Sequence, residues 1–194
     1  MAAIDARGDD VVLKLEDNER SLMLTVFSDL AALLSEGQEG DEGDDRPDSE
    51  NWEARLGLVE RPRPEDPALL RLFPDVDPED AERSEEFRRL TEFDLKQAKA
   101  HNVRIVMTGL GRGESITLSR DEVLAWMKGL NDLRLVLAVR LGIDTEETQE
   151  AMYANRADLG ESEELTLTLY DFLTWIQDRL TTTLLEGMQD GEER

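Results

Sequence analysis

The sequence predicts a mainly α fold, a helical core of four to five helices with two or three short β-strands in a small sheet or as edge pairs. Three observations point there. A short strand-like run leads directly into a long amphipathic stretch three times, over 11–35, 115–142 and 165–188. Within those stretches apolar residues recur at spacings of three and four, the period of a helix face. No similarity recurs at a fixed period, which argues against a solenoid. With 194 residues the chain is long enough to bury one real core, so it reads as a single domain over 1–194.

Val11-Val12-Leu13-Lys14-Leu15 is β-branched and partly alternating, a short strand. Asp17 and Asn18 can cap a helix that runs to about Ser35, with Leu22, Val26, Leu30 and Leu33 on one face and Met23, Phe27 and Leu34 beside them. Gly37 ends it. Residues 37–52 carry acids and little to bury, and so predict a disordered acidic loop. Prolines 62, 64, 67, 74 and 78 leave room for one short helical turn at Ala68–Phe73. Pro78 suits the first turn of a long helix from about Glu79, with Asp77 as N-cap. Phe87, Leu90, Leu95 and Ala98 would face inward on it, and the helix is read as continuing through Val103–Leu110. Gly109 to Gly113 forms a connector, Ser115–Leu118 a second strand, and Ser119-Arg-Asp-Glu122 a capping box. The helix it opens aligns Val123, Trp126, Leu130, Leu133 and Leu137, and Gly142 closes it. Residues 145–155 read as helix and Leu165-Thr-Leu-Thr-Leu169 as a third strand. The last helix sets Leu169, Phe172, Leu173, Ile176, Leu180 and Leu184 at helical spacing, with a frayed tail over 189–194.

Charge bounds the function classes. Acids outnumber bases 46 to 22, for a formal net charge of -24. Residues 36–53 set nine acids against Arg46 alone, and 144–194 set fourteen against three arginines, whereas 54–143 is nearly neutral. A field of this sign repels phosphate backbones and anionic membranes. The ten N-terminal residues contain no apolar run of a secretory signal, and the longest apolar run, near Leu133–Leu141, is broken by Arg134 and Arg140. The expected location is cytoplasmic, with no membrane association.

Chemistry-bearing motifs are scarce. With no cysteine, the chain has no disulfide, thiol catalysis or cysteine-ligated zinc. The glycines at 109, 111 and 113 follow a predicted helix, the reverse of a phosphate-cradling loop, and read as a plain connector. Asp41, Asp44, Asp45 and Asp48 lack the spacing of a calcium loop, and so does Asp75-x-Asp77. His101 has no second imidazole and no nucleophile elbow to serve, so it reads as an exposed helix-end residue. No catalytic residue, metal or cofactor is assigned.

The informative stretch is Trp126 to Gly142, where Asn131, Asp132, Arg134 and Arg140 are polar groups in a helix otherwise suited to a core. Buried polar groups need partners. One reading is an internal Asp–Arg network that orients the helix. The other is a groove in which Trp126, Asn131, Asp132, Arg134 and Arg140 bind an acidic protein partner on the least acidic part of the surface. Trp126, Tyr170 and Trp175 are core or groove-lining aromatics, with core favoured.

Leu130-Asn-Asp-Leu-Arg-Leu-Val-Leu137 followed by Arg140-Leu-Gly142 resembles the signature of an actinobacterial domain-of-unknown-function family that includes proteins named AosR, for oxidative-stress regulator. Glu122, Trp126 and Leu169-Tyr-Asp-Phe-Leu173 with Gln177 fit the same pattern, and 18 arginines against 4 lysines suit a GC-rich genome. The resemblance implies a cytosolic, transcription-associated stress regulator. Its cysteine-based sensing does not transfer to a chain without cysteine. The expectation is a non-enzymatic regulatory protein acting through protein–protein contacts, its partner a sigma factor or another transcription component, with homo-oligomerisation left open. The alternatives are a direct DNA-binding regulator, for which 111–143 offers the best cations, and a carboxylate- or metal-dependent enzyme. DNA mimicry ranks last, since the acids gather in predicted loops.

Overall fold

A computed structural model of the chain describes residues 2–8, 10–35, 64–77 and 80–192. The predicted acidic loop over 37–52 and Pro78 lie outside those residues. Strands β1 (Ala3–Arg7) and β2 (Asp10–Lys14) form an antiparallel hairpin, and β3 (Ser115–Leu118) pairs antiparallel with the other edge of β2. Gly8 turns the hairpin at φ +64°, a conformation that costs a residue without Cβ little. The register sets Ile4 opposite Leu13 and Leu13 opposite Ile116, so these side chains share one buried face with Val11 and Leu118.

Helices α1 (Asp17–Ser35), α2 (Pro67–Leu72), α3 (Ala81–Leu110), α4 (Arg120–Arg140), α5 (Glu146–Ala154) and α6 (Glu161–Glu192) complete the described fold, with a 3-10 turn at Arg156–Asp158. Helix α4 is central, packing against α2, α3 and α6, while α1 lies on α3 and α6 runs beside β1. The buried apolar residues form one continuous cluster, from Ile4 and Leu13 through Phe27 and Trp126 to Leu173 and Leu180. Helix dominates over a small three-stranded sheet, as the sequence predicts.

Several local expectations hold. The Ser119 hydroxyl accepts from the Glu122 N–H while the Glu122 carboxylate accepts from the Ser119 N–H, the reciprocal pair expected of a capping box. Gly142, at φ +67°, ends α4, and α3 is one continuous helix through Leu110. His101 is exposed, within α3 and not at its end.

Other expectations are corrected. The predicted third strand, Leu165–Leu169, is the second turn of α6, and the third strand is β1. Alternation at Leu165, Leu167 and Leu169 fits a strand, but Leu169 also begins the helical row through Leu173, Ile176 and Leu180, all buried. That row settles the geometry, and Glu161, Glu163 and Glu164 complement the positive end of the helix dipole. Strand β1 escapes notice because Ile4 is its only large apolar residue. Helix α6 runs to Glu192. On α1, Leu22 is exposed rather than packed on the core face.

Helix α3 begins at Ala81, capped by Asp80 and not Asp77, and it is rotated relative to expectation. Phe87, Leu90, Leu95 and Ala98 face solvent, while Ser84, Glu92, Phe93 and Lys96 are buried. The cause lies at the other end of the helix. Val103, Val106 and Leu110 are buried to 1% or less, and the same row traced backwards at spacings of three and four meets Lys99, Lys96 and Glu92. Charged groups on and beside that row pair with one another in part, and Lys99 reaches across to Asp132. Lys96 Nζ lies 3.0 Å from Glu92, Arg88 pairs with both Glu92 and Asp75, and Lys96 and Lys99 sit 5.6 and 5.8 Å from the Phe73 ring.

Gly109 belongs to α3 and not to a connector. A Cβ there would lie 2.9 Å from Trp126 Cζ2, so glycine is what lets the indole of α4 close on α3. Gly113, at φ +112°, supplies the turn into β3.

Candidate functional site

The five residues singled out on α4 do not form one site. Trp126 is fully buried against Gly109, with its indole N–H lacking a partner among the described residues. Asp132 points toward α3, where the Lys99 ammonium lies 2.6 Å from its carboxylate. Burial lifts the Asp132 carboxyl above its ordinary value of 3.8, against the hydrogen bond and charge of Lys99. Arg140 is exposed at a narrow cleft between α1 and α4, beside Asp29 and Leu33. Only Asn131 and Arg134 share a pocket. The expected internal Asp–Arg network is thus replaced by an Asp132–Lys99 pair, because successive polar positions on a helix radiate toward different neighbours.

The pocket holding Asn131 and Arg134 has a volume of about 230 Å³ and opens to solvent where α2, α4, α5 and α6 meet. Arg134 crosses to α6, donating to Gln177 Oε1 at 2.6 Å and to the Tyr170 hydroxyl at 3.3 Å. Its guanidinium lies 5.1 Å from the centre of the Tyr170 ring. Gln177 is held in turn by donating to the Met127 carbonyl at 3.3 Å. Tyr170 is a core aromatic as expected, whereas Trp175 is 39% exposed and stacks on Phe172.

Across the pocket, Arg71 arrives from α2, whose short turn starts at Pro67 and is capped by the Asp66 carboxylate. Arg71 is exposed and, among the described residues, makes no hydrogen bond or ion pair. Thr145, Glu146 and Gln149 of the α5 capping turn close the remaining wall. No ion pair links Arg71 or Arg134 to an acid among the described residues. Arg134 is therefore half-buried among neutral acceptors in a chain rich in carboxylates. Its Nε is buried without a partner among the described residues. An arginine in that setting retains an unused capacity for a carboxylate or another anion.

Sequence reasoning missed Arg71 and the α5 wall. Arg71 lies in a proline-punctuated stretch with no pattern of its own, and only the packing of α2 on α4 brings it to Arg134. Gln177 and Tyr170 were legible as parts of a shared signature, though not as partners of Arg134. The cations of 111–143 diverge: Arg112 is tied to Glu122 and the Thr117 carbonyl, Arg134 faces the pocket and Arg140 the α1 cleft. Among the described residues no helix is long and apolar enough to cross a membrane, and no three His, Asp or Glu side chains gather in a metal-binding arrangement.

Comparison with known proteins places the chain. A Mycobacterium leprae protein whose name makes it a candidate oxidative stress regulator, AosR, is 28% identical over 137 residues. The alignment covers 63% of this chain and 60% of that relative, so the chain spans less than two thirds of its length. No solved structure matches the chain. Residues 1–184 match DUF2017, a domain of unknown function, from before the first strand to deep within α6. The chain belongs to the DUF2017 family.

Proposed function

We propose that this chain is a non-enzymatic regulatory protein that acts by protein–protein contact, and that its Arg71–Arg134 pocket receives an acidic side chain of the partner. The observation that carries this reading is a half-buried arginine with only neutral partners at the floor of an open pocket. Holding a guanidinium partly out of water is costly unless an anion answers it. An incoming carboxylate can take charge-assisted hydrogen bonds from Arg134 and from the uncommitted Arg71, with Asn131 and Gln149 as further donors. Asp144 and Glu146 in the lining disfavour a highly charged polyanion and leave a single carboxylate as the better fit.

The regulatory role is supported by the name of the M. leprae relative. A transcription component such as a sigma factor is the class of partner we propose. Thiol sensing has no place in a chain without cysteine. Direct DNA binding draws no support from the divergent cations of α4.

The test is affinity purification from a native host under mild conditions, with the full chain and its Arg71→Glu and Arg134→Met variants. Retention of a stoichiometric protein partner by the parent, lost from both variants while their circular dichroism is unchanged, supports the reading. Recovery of no such partner, or equal recovery by the variants, defeats it. Tight, salt-sensitive retardation of duplex DNA in a mobility shift replaces it with the DNA-binding alternative.

A further inference from the structure

A second surface, on a different face of α6 from Tyr170 and Gln177, carries its own chemistry. Leu165, Thr168, Phe172 and Trp175 succeed one another at spacings of three, four and three, so they form a seam along one side of the helix about 15 Å long at 1.5 Å per residue. Leu165 is 65% exposed and Trp175 39% exposed. The Phe172 and Trp175 rings lie nearly parallel, 13° apart with centroids 6.4 Å apart, and form a flat aromatic ridge. Phe172 is half-buried against the core, but core packing does not account for Leu165 and Trp175, because the buried row of α6 is Leu169, Leu173, Ile176 and Leu180. Exposed apolar groups arranged in a line on a helix mark a contact surface.

Charge selects the occupant. By helical spacing Glu161, Glu164 and Asp178 flank the seam, none of them ion-paired among the described residues, while Arg179 follows Trp175 by four positions and Arg156 donates to the Thr168 hydroxyl. Nearby Asp171 is already engaged by Arg156 and the Tyr153 hydroxyl. The stretch 144–194 sets fourteen acids against three arginines. A second copy of the chain would bring its own charge of -24 to the same place, and an anionic membrane would be repelled likewise. We propose that the Leu165–Trp175 seam docks a basic amphipathic helix of a protein partner, its apolar residues against the Phe172–Trp175 ridge and its lysines or arginines against the bordering acids.

The seam does not depend on the arginine pocket, and the experiment separates the two. The probe is a synthetic three-heptad peptide with leucine at positions a and d and lysine at e and g. The control has the same composition permuted to destroy the heptad spacing. Calorimetric titration of the full chain at low salt should show the heptad peptide binding about tenfold or more tighter than the control. Phe172→Ser and Trp175→Ser should each weaken it by about tenfold or more with unchanged circular dichroism. Glu161→Gln/Glu164→Gln should weaken it and flatten its salt dependence, while Arg71→Glu should leave it within about twofold. Equal binding of the permuted peptide overturns the proposal, as does unchanged binding by the two aromatic variants. So does a parent dimer in sedimentation equilibrium that Trp175→Ser dissociates, since the seam would then belong to a second copy.

Discussion

Gly109→Ala sets two effects of known size against each other at the interface of α3 and α4. Alanine is the better helix former, by about 1 kcal/mol in a helix interior and by less at Gly109, in the last turn of α3. Its methyl group, however, would stand 2.9 Å from Trp126 Cζ2 and within 3.3 Å of two further indole atoms. Trp126 has no room to withdraw, since it is fully buried among core side chains. Forcing a methyl group into a packed core costs about 1–3 kcal/mol. The clash should therefore win, leaving the variant about 1–2 kcal/mol less stable. Urea unfolding followed by circular dichroism should show a lower midpoint at unchanged slope. In a Trp126→Phe background the struck atom is absent, so the same Gly109→Ala change should become neutral or stabilising. Stability equal to or above the parent in the Trp126 background would refute the reasoning. So would the same penalty in both backgrounds, since the cycle isolates the contact.

Asp132→Ala should cost about 2–4 kcal/mol in urea unfolding, because it leaves the Lys99 ammonium without its carboxylate in a site only 19% exposed. Asp132 carries a raised folded-state pKa, so the native state holds its proton longer than the unfolded chain. Its contribution to stability therefore falls as pH rises above the ordinary 3.8, and Asp132→Asn should remove that part of the decline. Glu122 behaves oppositely. Burial would raise its pKa, but the Arg112 guanidinium and the Ser119 N–H and hydroxyl outweigh that and hold it below 4.5. Its stabilising contribution is present above 4.5 and fades as pH falls, so Glu122→Gln should weaken the acid-side slope of unfolding midpoint against pH. Arg134→Met should lower stability by only about 1–2 kcal/mol through its bonds to Gln177 and Tyr170 while removing partner retention, a split that unfolding and pull-down measure together. Loss of the fold in Arg134→Met would assign the residue a structural role instead.

How far the candidate site could be read from the chain depended on whether each contact was local. Asn131 and Arg134 were visible as polar interruptions in an apolar helix, and Gln177 as part of a downstream signature. Their convergence was not, since Arg134 and Gln177 are separated by 43 positions and Arg71 comes from a stretch without periodicity. One reading placed Asp132 in an internal Asp–Arg network, whereas its partner is Lys99 on α3.

Sequence alone determined what nearest neighbours along the chain decide: the helical class, the Ser119–Glu122 cap, the stop at Gly142 and the family signature from Leu130 to Gly142. These follow from dihedral preference, side-chain-to-backbone hydrogen bonds and short-range periodicity, all expressed within a few residues. Tertiary structure alone decided which of two competing apolar rows turns inward. On α3, burial of Val103, Val106 and Leu110 fixes the rotation of a rigid 30-residue helix, and Phe87, Leu90 and Leu95 are left in water. On α6, the row through Leu169, Leu173 and Ile176 overrides the strand-like alternation at 165–169 and leaves Leu165, Phe172 and Trp175 on the outer side. A helix can bury one face against its neighbours, and the face chosen is the one that closes the whole core, a sum no local window contains.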